Sequence, residues 1–409
     1  MERHHLIDAA GCQILTRDTV RIPETFQRFS GSEAASGIVL LAATACALAW
    51  ANSPWQPSYA SLLHQRLPIG WNALRLELTA REWINDGLMT MFFLLVGLEI
   101  KREMLAGELA SSRKAALPIA AAIGGMVVPA LLYAAINGGS AGARGWGIPM
   151  ATDIAFALGI AALMGPRVPV SLKIFLAAVA IVDDIGAVLV IALFYTASIA
   201  WVSLAVVAAL LLVLVILNRA GVQHAAPYLL VGVVLWLAVL ASGIHATIAG
   251  VLLAFTIPAS GRDTESPLLE RLEHALDNPI AFFVVPLFAL ANAGVRIGGA
   301  SSPEFSLRVL AGVIIGLVLG KPLGISLAAW LALRMRIATL PDNMSWRMLV
   351  GVSWLGGIGF TMSLFIGALA FPDEALLDSA KVGVLLASCV AALMGWLMLR
   401  ERPSGTSES

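Results

Sequence analysis

Apolar residues run along the chain in blocks of about twenty, separated by short connections rich in polar residues, glycine and proline. A helix needs about 20 residues to cross a hydrocarbon core of roughly 30 Å, and lipid offers the backbone no hydrogen-bond partner. Long blocks without alternation therefore predict membrane-spanning helices rather than strands. The pattern predicts about twelve spans: 34–52, 83–103, 116–136, 147–164, 172–196, 200–218, 226–241, 243–258, 277–296, 309–333, 348–371 and 379–399. One stretch departs from it. Between Arg66 and Arg81, Leu74, Leu76 and Leu78 alternate with Arg75 and Glu77, the period of a strand.

Composition agrees with this reading: 59% of residues are hydrophobic, 13% are charged and mean hydropathy is +0.87, which excludes an ordinary soluble fold. The 26 Lys and Arg balance the 26 Asp and Glu, and nothing points to nucleic acid. With the N-terminus inside, eighteen basic residues fall on the cytoplasmic side of the predicted spans and seven on the other, so both termini are expected in the cytoplasm. Residues 1–33 carry Arg3, Arg17, Arg21 and Arg28 without an apolar core or a cleavage pattern. They are expected to be a retained cytoplasmic tail rather than a signal peptide, followed by one membrane domain over 34–400 and a short tail over 401–409.

Cys12, Cys46 and Cys389 show no disulfide or metal spacing, and the chain lacks a phosphate-cradling Gly-x-x-x-x-Gly-Lys motif. No cofactor is expected. Transport, if that is the activity, would draw on an ion gradient.

Chemistry enters with the few charges inside the spans. Asp183 and Asp184 sit together in the middle of the run from Ile174 to Phe194, where an ionised carboxylate costs roughly 2.5 to 3.5 kcal/mol on insertion scales. Such a pair marks an ion or proton path. Lys321 lies twelve residues from either end of 309–333, about 18 Å from each surface, beyond the reach of a snorkelling side chain. It must find an anion indoors, and the acids at similar depth are Asp183, Asp184 and Asp153. Neighbouring residues point about 100° apart on a helix, so one member of the pair is expected to hold Lys321 while the other stays free.

Two spans are interrupted. Pro149 removes a donor within Gly147-Ile148-Pro149-Met150-Ala151-Thr152-Asp153, and glycines crowd the stretch from Trp354 to Ser363. These breaks fall in the middle members of two three-span groups, 116–196 and 309–399, which have opposite orientations as an inverted repeat requires. Half-helices that end inside the membrane expose positive N-termini and negative C-termini. Asp153 can answer the first and Lys321 the second, while the Thr152 hydroxyl and unwound carbonyls offer neutral oxygens to a dehydrated cation.

Taken together, these residues resemble the NhaA-type sodium/proton antiporters of bacterial inner membranes. The resemblance runs in unbroken order from about residue 30 to 400. It rests on Trp83-Ile84-Asn85-Asp86, Phe93 to Glu99, Ala151 to Gly159, Ile181 to Ala187, Gly243-Ile244-His245-Ala246-Thr247, Ala291-Asn292-Ala293-Gly294, Gly320 to Gly324 and Gly357 to Ser363. It implies an all-α polytopic membrane protein built from two inverted repeats with crossed, interrupted helices. Asp184 would be the principal cation ligand, Asp183 the partner of Lys321 and a proton site, and Thr152 with Asp153 the support. Glu99, Glu273 and His274 would belong to a cytoplasmic ion entrance and pH-sensing cluster, His245 to pH response, and Asp86 to a funnel on the outer side. The strand pattern would form a periplasmic hairpin, at about 66–80, that joins two protomers into a homodimer.

The implied activity is export of Na⁺ or Li⁺ in exchange for protons, with no enzyme chemistry. Proton and cation would compete for one carboxylate site that moves between the two faces only when loaded. With a second titratable group beside Asp184, more than one proton exchanges per cation and transport is electrogenic. An intramembrane aspartyl protease would need two acids on facing helices, usually in a Gly-x-Gly-Asp setting that Ile181-Val182-Asp183-Asp184 lacks. A sodium-coupled solute symporter has no evident need for Lys321 beside paired acids, and a passive channel would conduct rather than exchange.

Overall fold

The computed structural model describes residues 24–69, 76–196, 199–260, 266–296, 305–341 and 344–400. Eight helices are long and apolar enough to cross a membrane: Ala80–Ala106, Arg113–Asn137, Val170–Phe194, Trp201–Arg219, Ala225–Ser242, Leu268–Asn292, Leu307–Arg334 and Glu374–Arg400. Three bent pairs raise the number to as many as eleven. Apolar side chains cover the outside as well as the core, with Val202 81% exposed and Leu193 72% exposed. That distribution suits lipid as the surrounding solvent.

The expected span 243–258 takes a different form. Gly243, at φ 81°, closes Ala225–Ser242 in the left-handed conformation that glycine adopts without steric cost. The chain then turns through His245, and the helix proper is only Ile248–Thr256, nine residues. At 1.5 Å per residue this is about 13 Å, under half the hydrocarbon thickness. The length of the apolar run was legible, but the turn at its start leaves a short helix packed against Met89–Ala106. Gly250 permits that packing, since a Cβ there would meet the Thr90 carbonyl.

The first predicted span, 34–52, matches the C-terminal part of the longer helix Glu24–Ala51, which ends one residue earlier. Its stretch Ala35–Ala51 turns through 112° into Gln56–His64. Beyond it, Arg66–Ile69 pairs antiparallel with Leu76–Thr79, with Arg66 opposite Thr79 and Ile69 opposite Leu76. Leu74 and Arg75, part of the strand pattern, lie outside the described residues. A capping box at Thr79 and Glu82 starts the next helix, and Trp83 Nε1 donates to the Leu67 carbonyl to tie the hairpin down.

The helices Arg113–Asn137 and Leu307–Arg334 cross in backbone contact, because a Cβ on Gly124 or on Gly324 would stand 2.2 Å from the other's carbonyl oxygen. Leu307–Arg334 is not α-helical throughout. Pro322 has no N–H to give, and the turn before it, Gly316–Gly320, widens to a π-helix. Lys321 follows that turn directly and is fully buried.

Candidate functional site

Both sequence breaks are breaks in the structure. The 3₁₀ segment Ala141–Met150 and the helix Ile154–Leu163 meet at 42°, and Trp346–Gly356 meets Phe360–Ala370 at 43°. The linkers Ala151–Asp153 and Gly357–Gly359 leave backbone groups unpaired, and each interrupted span satisfies groups of the other. Asp153 N donates to the Ile358 carbonyl at 2.7 Å, and Ser363 Oγ donates to the Ile148 carbonyl at 2.7 Å.

Side chains neutralise the half-helix ends. Asp153 Oδ1 accepts from Phe156 N at 3.0 Å, while Oδ2 accepts from Thr361 N at 3.0 Å and Thr361 Oγ1 at 2.5 Å. One carboxylate thereby caps the positive ends of two half-helices. At the negative ends, Lys321 Nζ donates to the Met150 carbonyl, and the Thr152 hydroxyl lies 2.9 Å from the Gly356 carbonyl. Asp153 and Lys321 therefore stand against the dipole ends of the sign expected for each. Thr361 and the Met150 carbonyl are the partners that sequence reasoning did not single out. Thr361 stood within a quoted motif, but its partner Asp153 lies 208 residues away.

Asp183 is committed. Its Oδ2 accepts from Lys321 Nζ at 2.5 Å and from Thr152 Oγ1 at 2.6 Å, with both charged side chains inaccessible to solvent. Asp184, on the next position of Val170–Phe194, is 2% exposed. Among the described residues no hydrogen bond reaches it, and Asp184 Oδ1 and Asp183 Oδ1 are both buried without a partner. The choice between the two acids, open in the sequence, is thus made by where Lys321 arrives. Two adjacent carboxylates with orphaned, desolvated oxygens form an arrangement that a proton or a small cation would relieve.

A cavity of about 240 Å³ lies beside this region, lined by residues of Glu24–Ala51, Met89–Ala106, Ile154–Leu163, Val170–Phe194 and Leu268–Asn292. Ile154, Ala155 and Ile181 line one part, and Glu99, Arg102, Glu103 and Asp277 line another. Arg102 bridges Glu103 at 3.3 Å and Glu273 at 3.1 Å, so Glu99, Glu273 and Asp277 belong to one charged cluster. His274 adjoins the cluster, close enough to act on Glu273 and Asp277, and its Nδ1 sits 2.7 Å from the Glu270 carbonyl of its own helix. The structure also joins two residues that the sequence left separate. His245 Nε2 lies 3.4 Å from Asp86 Oδ1, its other ring nitrogen is 2.9 Å from Thr247 Oγ1, and its ring meets Phe365 of the second interrupted span edge-on.

The chain is similar to proteins that make sense of this site. A family profile described as Na⁺/H⁺ antiporter 1 matches residues 27–399. A Na⁺/H⁺ antiporter NhaA from Nitrobacter hamburgensis is 53% identical over 400 residues, covering 97% of this chain and 96% of that protein. The NhaA of Bordetella parapertussis is 52% identical over 389 residues, 94% of this chain and 98% of its own. NhaA 1 of Klebsiella pneumoniae is 50% identical over 384 residues, 93% and 97% respectively.

Proposed function

The chain belongs to the Na⁺/H⁺ antiporter 1 family and is a multi-pass membrane protein that exchanges sodium for protons, and we propose that the exchange takes place at Asp184. The observation that carries this reading is the contrast between neighbours: Asp183 is held by Lys321 and Thr152, while Asp184 is equally buried and, among the described residues, has no hydrogen-bond partner. A bare carboxylate at this depth is costly, so the stable states of the site are the protonated one and the one holding a cation. Each excludes the other, which is the elementary requirement for antiport. Thr152 and the carbonyls at the breaks supply neutral oxygens, and Asp153 keeps the half-helix ends in place. Li⁺, with the same charge and a smaller radius, is a second substrate.

Alternating access follows if only a neutralised site passes between the two sides. The similar bends of the two interrupted spans, 42° and 43°, and the Gly124–Gly324 crossing support two inverted repeats, about 116–196 and 309–399, that rock around this point. The charged cavity at Glu99 and Asp277 is the cytoplasmic approach, and with Glu273 it adjusts activity to pH. The pair of Asp86 and His245 occupies the outer side, where histidine charge also depends on pH. Both termini face the cytoplasm and the protein resides in the bacterial inner membrane. The free edges of the two-stranded hairpin support pairing with a second copy.

The Asp183–Lys321 pair is a second titratable unit beside Asp184, so more than one proton returns for each Na⁺ that leaves. Sodium added to proteoliposomes is therefore expected to generate a membrane potential, read with a voltage-sensitive dye. Exchange that proceeds with no charge movement contradicts this stoichiometry.

A further inference from the structure

A second polar cavity, of about 350 Å³, lies away from the paired aspartates, among the ends of Gln56–His64, Val285–Asn292 and Glu374–Arg400. Beside Tyr59, six side chains that can carry charge near neutral pH line it: His64, Arg81, Arg296, Glu374, Asp378 and Lys381. With His64 neutral, Arg81, Arg296 and Lys381 stand against Glu374 and Asp378, a formal excess of one positive charge. The cluster is loosely paired. Lys381 Nζ is 3.7 Å from Asp378 Oδ1 and His64 Nε2 is 3.8 Å from Glu374 Oε1, both too long for hydrogen bonds. Lys381 is only 3% exposed, and among the described residues Arg81 Nε is buried with no hydrogen-bond partner.

Buried ammonium and guanidinium donors normally meet acceptors within hydrogen-bonding distance, because desolvated donors are costly to leave unpaired. Among the described residues, neither Lys381 Nζ nor Arg81 Nε has an acceptor within hydrogen-bonding distance, and both side chains line the cavity. Depth is graded as well: the His64 and Glu374 side chains at the mouth are 56% and 79% exposed, whereas the Lys381 side chain is 4% exposed. Lys381 comes about two turns into Glu374–Arg400, near the level at which a spanning helix meets headgroups.

We propose that this pocket is an anion site for a phosphate group, with Arg81 and Lys381 at its floor and Arg296 at its rim. An arginine fork and a lysine point charge are the usual combination for a phosphate oxyanion. The phosphate comes either from an anionic lipid headgroup or from solution. The site is independent of the reading of Asp184, and its test does not use transport.

Purified, delipidated protein is titrated with phosphatidylglycerol and, separately, with phosphatidylcholine under native mass spectrometry, and with inorganic phosphate by calorimetry. Wild type is expected to bind phosphatidylglycerol in preference to phosphatidylcholine. Lys381→Gln and Arg81→Gln should each weaken binding at least about tenfold, as loss of one charged contact implies. Lys381→Arg should retain it, and Glu374→Gln, which removes a competing negative charge at the mouth, should tighten it. Phosphatidylglycerol binding without phosphate binding identifies the lipid as the source, and binding of both identifies a free-anion site. No binding of either probe to wild type, equal binding of the two lipids, or unchanged binding in the glutamine variants overturns the proposal. If Lys381→Gln fails to fold, Arg81→Gln and Glu374→Gln carry the same test with opposite signs.

Discussion

Asp184→Asn is expected to abolish Na⁺-driven proton movement while leaving the protein folded. In inverted vesicles containing a pH-quenched dye, Na⁺ should dequench the wild type and leave the variant silent. The size of the effect follows from charge. A cation about 4 Å from a carboxylate gains about 4 kcal/mol even at an effective permittivity of 20, and asparagine offers no counter-charge. That corresponds to roughly a thousandfold in Na⁺ affinity. Folding should be spared for a reason visible in the structure: among the described residues no hydrogen bond reaches the Asp184 side chain, so none is lost there on replacement. A melting temperature close to wild type together with silent dye separates a binding defect from a structural one. Retained Na⁺-dependent dequenching would remove Asp184 from its role.

The second large effect concerns stability. Lys321→Met is expected to destabilise the protein by about 3–5 kcal/mol, the usual cost of removing one partner from a buried ion pair. Two acceptors lose their donor at once, Asp183 Oδ2 and the Met150 carbonyl at a half-helix end. Asp183→Asn in the same chain removes the stranded charge and should recover part of the loss, without restoring transport. Unfolding midpoints of the wild type, both single variants and the double variant measure the coupling. A double variant less damaged than the sum of the singles supports the pairing; strictly additive losses would mean that Lys321 and Asp183 act independently.

Much of this centre is legible in the chain because lipid makes rare charges informative. Asp183, Asp184 and Lys321 stand out from their surroundings, and the depth of Lys321 alone demands an internal anion. Pro149 and the glycines around Ile358 announce the breaks by removing a donor or loosening the backbone. What could not be read is which aspartate Lys321 selects. That depends on the π-helical turn Gly316–Gly320 and on the close crossing at Gly124 and Gly324, which set the direction of approach across 138 residues of sequence. The same limit hides the pairing of Asp86 with His245. It also explains the short helix at Ile248–Thr256: the apolar run was long enough to cross, but Gly243 and the turn through His245 use up part of it before the helix begins. Local pattern reports how much of a segment is apolar, whereas the backbone path through a turn depends on what packs against it.

The central claim is that sodium and protons occupy the same buried carboxylate site in turn. Calorimetric titration of Na⁺ into the purified protein at a series of pH values, in buffers of different ionisation enthalpy, tests it most directly. Competition predicts that binding releases protons and that Na⁺ affinity falls with decreasing pH, approaching about tenfold per unit where one proton competes. Sodium affinity that is independent of pH, with no proton release on binding, would contradict it.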